Sequence, residues 1–148
     1  MKTIVVTGTP GTGKTIVAKR IAKQRGYVYV DINKLIKNFK LNEKYDKKRR
    51  SWVVDIGKLN KVLIGVIKIG RYDKLKGIVF DSHLAHYLPK RYVDLCIVTT
   101  TDRKRLYERL KRRGYSKAKI DENMEAEIMG IILEEARAKK HRIRIIQT

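Results

Sequence analysis

Short apolar runs alternate with amphipathic stretches along the chain. Residues 3–7 read T-I-V-V-T and stop at Gly8, which predicts a strand buried on both faces. Residues 15–24 place Val17, Ala18, Ile21 and Ala22 at helical spacing, and Gly26 ends that helix. Residues 27–32 form a second strand. Leu59, Val62, Leu63, Val66 and Ile67 follow the i, i+3, i+4, i+7, i+8 spacing of an amphipathic helix. Strands follow at Gly77–Asp81, which ends in an acid, and at residues 93–100. Thr101 or Asp102 caps a helix that runs to about Arg113, where Gly114 breaks it. Asp121 is placed to cap another helix with Met124, Ile128, Ile131 and Ile132 facing inward. Residues 142–146 alternate as a last strand.

Strands separated by helices predict an α/β three-layer sandwich, a parallel sheet with helices on both faces. The chain is read as a single domain over residues 1–148. The stretch 31–70 is too long for a plain crossover and is expected to form a helical insertion packed on the sheet. It carries the basic run Lys47, Lys48, Arg49, Arg50.

Composition narrows the function. The chain holds 36 Lys and Arg against 15 Asp and Glu, a net charge of +21. Such an excess repels itself and fits an anionic partner: phosphate, nucleotide or RNA. Cys96 is the single cysteine, so no intrachain disulfide can form and a reducing compartment fits. It sits in an apolar run and reads as core. No stretch has the length of a membrane span, and the N-terminus enters a strand with no signal-peptide pattern. The expected location is cytoplasmic, the expected state a monomer, and no membrane partner is implied. No His/Cys zinc constellation is present.

The first strand and helix enclose Gly8-Thr9-Pro10-Gly11-Thr12-Gly13-Lys14-Thr15, which fits G-x-x-x-x-G-K-[ST] throughout. Its glycines let backbone N–H groups wrap a phosphate, and the helix it opens favours anions. Lys14 supplies a cation for the β and γ phosphates, and the Thr15 hydroxyl is a Mg²⁺ ligand. ATP and Mg²⁺ are therefore the expected cofactors. The loop alone does not separate a kinase from an ATPase or a GTPase. The base-reading motif of a GTPase is missing, since Asn33-Lys34 is followed by Leu35-Ile36.

Ile78-Val79-Phe80-Asp81 is an apolar strand ending in a carboxylate, the form of a metal-holding acid, and Asp81 is assigned to Mg²⁺. His83 follows two residues later, and two readings stay open: a bland loop histidine, or one that orients a water or a phosphate. His86 and His141 have no comparable context. Basic residues crowd positions 103–119, where Glu108 is the one acid. Arg103, Lys104 and Lys111 read as a solvated face. Arg109 and Arg113, at i and i+4, share a helix face and are assigned to stabilising a transferring phosphoryl group. Gly114 gives this stretch the look of a small lid.

Taken in order, G-T-P-G-T-G-K-T, D-S-H, L-Y-E-R-L-K-R-R-G-Y and an E-I…E-E-A helix resemble the adenylate kinase isoenzyme 6 family, also called coilin-interacting nuclear ATPase proteins, with its archaeal counterparts. The resemblance runs from Ile4 to about Ala136. It implies a P-loop nucleoside monophosphate kinase fold with sheet order 2-3-1-4-5. It also implies an acceptor-nucleotide region over about 31–54, opening at Asp31, and a lid over about 112–122. Gly11, Gly13, Lys14, Thr15 and Ile16 then fall at the ATP loop with Gly8 and Thr12, and Arg113 at the lid arginine. Asp81 and His83 match a D-x-H motif linked to Mg²⁺ and ATP hydrolysis. Lys37, which the resemblance assigns with Asp31 to the acceptor nucleotide as a phosphate contact, stands where the family usually has an arginine; lysine keeps the charge and loses the bidentate fork. Met129 and Gly130 occupy the place of an arginine found in ordinary adenylate kinases. The chain stops at Thr148, before the loop and final helix the family normally carries, as a short variant or a truncation would.

The resemblance implies transfer of the γ-phosphoryl of MgATP to AMP. It equally admits a second class: an ATP-gated assembly factor in small-subunit ribosome maturation, with a platform ribosomal protein and rRNA as partners. A small-molecule kinase of the shikimate type is a third option, which the lid pattern disfavours.

Overall fold

The computed structural model describes residues 1–47 and 51–148. Among the described residues seven strands and six α-helices follow one another: β1 Lys2–Gly8, α1 Lys14–Arg25, β2 Val28–Asp31, α2 Ile32–Asn38, β3 Asn42–Asp46, β4 Ser51–Val54, α3 Ile56–Tyr72, β5 Gly77–Asp81, β6 Leu95–Thr100, α4 Arg103–Arg112, α5 Lys117–Ile128, α6 Ile131–Ala138 and β7 Ile143–Gln147. Five strands form a parallel sheet in the order β2-β5-β1-β6-β7. Numbering the sheet strands alone gives 2-3-1-4-5, as expected.

The β-branched run of β1 is buried because it lies mid-sheet with both faces covered. Alternate residues serve opposite layers. Val5, Ile78, Phe80, Cys96 and Val98 join Leu59, Leu63 and Ile67 of α3 in the larger core. Ile4, Val6, Val79 and Ile97 meet Val17, Ala18 and Ala22 of α1 on the other face. Cys96 is fully buried and burial pushes its thiol up to about 12, so it packs as an apolar residue.

Three expectations change. The stretch 31–70 is not wholly helical: β3 and β4 form an antiparallel hairpin between α2 and α3. Its first strand, N-E-K-Y-D, is polar at almost every position, so it carries no buried face for periodicity to show. Residues 48–50 of the basic run lie outside the described residues. Next, Asp121 caps nothing at a helix start; it lies inside α5, whose N-cap is Ser116 accepting from Lys119 N. Finally, the helix expected through Ile132 breaks at Met129 and Gly130, and α6 starts on a new axis. Ile128 and Ile131 consequently face outward, at 51% and 42% exposure, rather than inward.

His86 and His141 turn out to be core residues. His86 Nδ1 shares a 2.7 Å hydrogen bond with the Thr7 hydroxyl, and His141 Nε2 bonds His86 O at 2.8 Å. Burial lowers the pKa of both. A histidine held neutral in the fold refuses a proton that the unfolded chain accepts below its ordinary pKa of about 6.5. Their contribution to stability is therefore full above that pH and declines as pH falls below it. Thermal denaturation between pH 7.5 and 5 is expected to show a falling Tm; a flat profile contradicts the buried neutral histidines.

Candidate active site

β1 delivers the loop into a cleft at the carboxyl ends of the strands, where open α/β sheets place their ligands. Gly8 has φ 149°, and a Cβ there would lie 2.4 Å from Thr99 Oγ1 and 2.7 Å from Thr99 O. Only glycine lets the loop leave β1 this close to β6. Thr12 is buried, with its hydroxyl 2.6 Å from Thr9 O and 2.7 Å from Thr99 Oγ1. It braces the loop from within. Lys14, first residue of α1, folds its Nζ onto Gly8 O at 3.0 Å and Thr9 O at 3.2 Å. Burial lowers its pKa to about 8, against the pull of Asp81 and with the push of Arg113.

The Val6–Asp81 register of β1 and β5 sets the acid beside the loop. Asp81 is 5% exposed, and the Thr15 hydroxyl donates to its Oδ2 at 2.7 Å. With its proton so committed, the Thr15 oxygen offers lone pairs to a cation. Two hard oxygen donors beside a phosphate loop fit Mg²⁺, which takes its remaining ligands from phosphates and water. No cluster of three or more His, Cys, Asp or Glu side chains suited to a metal occurs among the described residues. Thr15 and Asp81 are thus the residues that would hold Mg²⁺, whose charge would offset that of the phosphates.

The cleft has a volume of about 960 Å³. Gly11, Gly13, Lys14, Thr15, Ile16, Asp31, Asp81, His83 and Arg113 all line it. His83 keeps a surface open to the cleft. Although the side chain is exposed to solvent, partial desolvation by the cleft walls and then the Lys14 cation lower its pKa, so its ring is neutral at pH 7. Asp31 caps α2 by accepting from Asn33 N. Arg113 ends α4 and is exposed at the cleft mouth.

Two assigned residues stand elsewhere. Arg109 does not line this cleft. Its guanidinium donates to Gly11 O at 3.2 Å and to the Thr101 and Thr148 hydroxyls at 3.1 Å each. Those bonds brace the back of the loop rather than aim charge at a transferring group. Lys37 is exposed on α2 and is not among the residues lining the cleft.

The sequence reading missed several groups. Tyr29 of β2 donates its hydroxyl to Asp81 Oδ2 at 2.6 Å, and burial together with that bond raises its pKa, so it stays a donor. Glu127 of α5 accepts from Thr9 Oγ1 at 3.1 Å and from Thr101 N at 2.9 Å, tying the helix after the lid to the loop. Tyr87 donates to Glu135 on the far wall of the cleft, behind which lies His86. None of these belongs to a spaced motif, so only the fold reveals them. A smaller hollow of about 460 Å³ behind the loop is lined by Ile16, Arg20, Arg109, Arg112, Arg113 and Thr148 among others.

A family model described as "AAA domain" matches residues 4–130. A Caenorhabditis elegans protein named adenylate kinase isoenzyme 6 homolog is 38% identical over 135 residues, covering 90% of this chain and 71% of that one. A Methanosarcina mazei protein named putative adenylate kinase is 39% identical over 144 residues with the same coverage. This chain belongs to the adenylate kinase isoenzyme 6 family. Membership places it among the P-loop phosphotransferases that bind nucleotides. A shikimate kinase from Acinetobacter baumannii superposes with a TM-score of 0.63 at 13% identity, covering 100% of this chain and 84% of that one, and shares the fold. The family resemblance read from the sequence is therefore correct, and so is the architecture drawn from it.

Proposed function

We propose that the chain transfers the γ-phosphoryl of MgATP to AMP, forming two molecules of ADP. The observation that carries this reading is the single continuous cleft. It runs from Lys14 and the Thr15–Asp81 pair to Asp31, Asn33, Tyr87 and Glu135 on the opposite wall. Its volume of about 960 Å³ sits at the top of the range for one small ligand and leaves room for donor and acceptor together. Loop amides and Lys14 bind the donor's phosphates. Arg113 and Lys119, both in the cleft wall, supply the charge that closes over the transferring group. The acceptor's phosphate oxygen is already an anionic nucleophile, so no general base is required. Catalysis is positioning and electrostatics.

A second reading is supported by His83. A neutral imidazole two residues from Asp81 accepts a hydrogen bond from a water, which suits hydrolysis in an ATP-gated factor acting on a ribosomal protein and rRNA. The net charge of +21 is compatible with that setting. On either reading the protein works in the cytoplasm as a monomer.

One assay separates them. Incubation with MgATP and AMP is expected to give ADP at a rate set by AMP, and omission of AMP to leave only slow phosphate release. Phosphate release that ignores AMP and rises with a small-subunit ribosomal protein would overturn the kinase reading in favour of the factor.

A further inference from the structure

The phosphotransferase reading assigns Thr15 and Asp81 to the metal and leaves Tyr29 without a task. The structure gives it one. We propose that Tyr29 is a positioning residue for the metal-holding carboxylate, fixing Asp81 in the orientation that receives Mg²⁺ together with the donor's phosphates.

Tyr29 lies on β2, the neighbour of β5, and the pairing Tyr29–Val79 and Asp31–Asp81 puts Tyr29 one alternation back from the acid on the same sheet face. Its ring is partly buried in the α1-side core, with Lys19 Nζ 5.4 Å above its centroid. Its hydroxyl reaches Asp81 Oδ2 at 2.6 Å, and the Thr15 hydroxyl reaches the same oxygen at 2.7 Å. Donors therefore arrive at one oxygen from two elements, β2 and α1. A carboxylate held by a single donor can still turn about its terminal torsion, which is soft. Two donors converging on Oδ2 stop that rotation and leave Oδ1 without a protein donor among the described residues. Oδ1 is then the oxygen free for the cation or its water. Partners of this kind orient metal ligands, and their removal typically weakens metal binding by about 10–100-fold. Thr15 alone is a single donor, and the Tyr29 hydroxyl supplies the second that fixes the carboxylate.

Tyr29→Phe keeps the ring and removes only the hydroxyl. The readout is the affinity for ATP with saturating Mg²⁺ divided by the affinity in EDTA, both by calorimetry, together with Tm. The expected result is a ratio lowered about tenfold, with the EDTA affinity and Tm unchanged. In an Asp81→Asn background, Tyr29→Phe is expected to change nothing further. An unchanged ratio overturns the proposal, as does an EDTA affinity that drops by the same factor or a full effect that persists beside Asp81→Asn. The proposal rests on the reading of the site given above, and the two fail differently. A wild-type protein that gains no ATP affinity from Mg²⁺ removes both. A wild-type enhancement that Tyr29→Phe leaves intact removes this one alone.

Discussion

Lys14→Ala is expected to lower phosphoryl transfer by about 10³-fold or more while leaving Tm unchanged or slightly higher. The two halves of this expectation share one cause. Lys14 is a half-buried cation facing loop carbonyls, and desolvation brings its pKa from 10.5 to about 8. A lysine whose pKa is lowered by folding is harder to keep charged in the fold than in the open chain. Its penalty is present below about pH 8 and fades as pH rises toward the unfolded value. At pH 7 the lysine is charged and the fold bears that penalty. Polyphosphate reverses the sign, since an anion in the loop replaces two carbonyl dipoles as the ammonium's partner. Alanine removes the penalty and the phosphate contact together. Activity measured as kcat/KM, beside calorimetric Tm, checks both halves. Near-normal turnover contradicts the assignment of the loop.

How much of this was legible in the sequence depended on whether a residue's task was local. The loop 8–15 needs a fixed run of residue types, so it could be read directly, and the structure places it where β1 meets α1. Asp81 was legible because an apolar strand that ends in an acid is unusual, and the sheet register then brings it to the loop. The sheet order followed from the family resemblance rather than from periodicity. The illegible parts depend on distant pairing. Tyr29 meets Asp81 across 52 positions and Glu127 meets Thr9 across 118. His86 carries no signal of its own, since its partner is the Thr7 hydroxyl 79 positions earlier. Arg109 shows the limit of spacing arguments. Its i, i+4 relation to Arg113 is real and both line the hollow behind the loop, but only Arg113 also lines the cleft, while Arg109 is taken up by Gly11 O and the Thr101 and Thr148 hydroxyls. The hairpin β3–β4 escaped because the pattern that marks a strand is burial of alternate residues, and β3 buries none fully.

Gly8→Ala is expected to destabilise the fold by at least about 3 kcal/mol and to abolish nucleotide binding. The methyl group meets two separate obstacles. At φ 149° the backbone occupies a region that L residues rarely adopt. The added Cβ also lies 2.4 Å from Thr99 Oγ1, 2.7 Å from Thr99 O and 2.8 Å from Thr12 Oγ1. A flexible side chain could swing aside, but Thr99 O belongs to β6, whose pairing runs Gly8–Thr99 on one side and Thr99–Ile146 on the other. Relief therefore requires the end of β1 to lift from β6. That movement breaks the Thr12–Thr99 bond and carries the loop amides away from the phosphate site. Gly26→Ala provides the comparison. Gly26 also has positive φ, at 69°, but nothing lies within 4 Å of a Cβ there. It should cost only the left-handed backbone term, about 1–2 kcal/mol, and leave binding intact. Chemical denaturation and ATP calorimetry on the two variants measure the difference. Equal destabilisation in both would mean that the close approach of the loop to β6 contributes nothing, and that the loop's shape is set elsewhere.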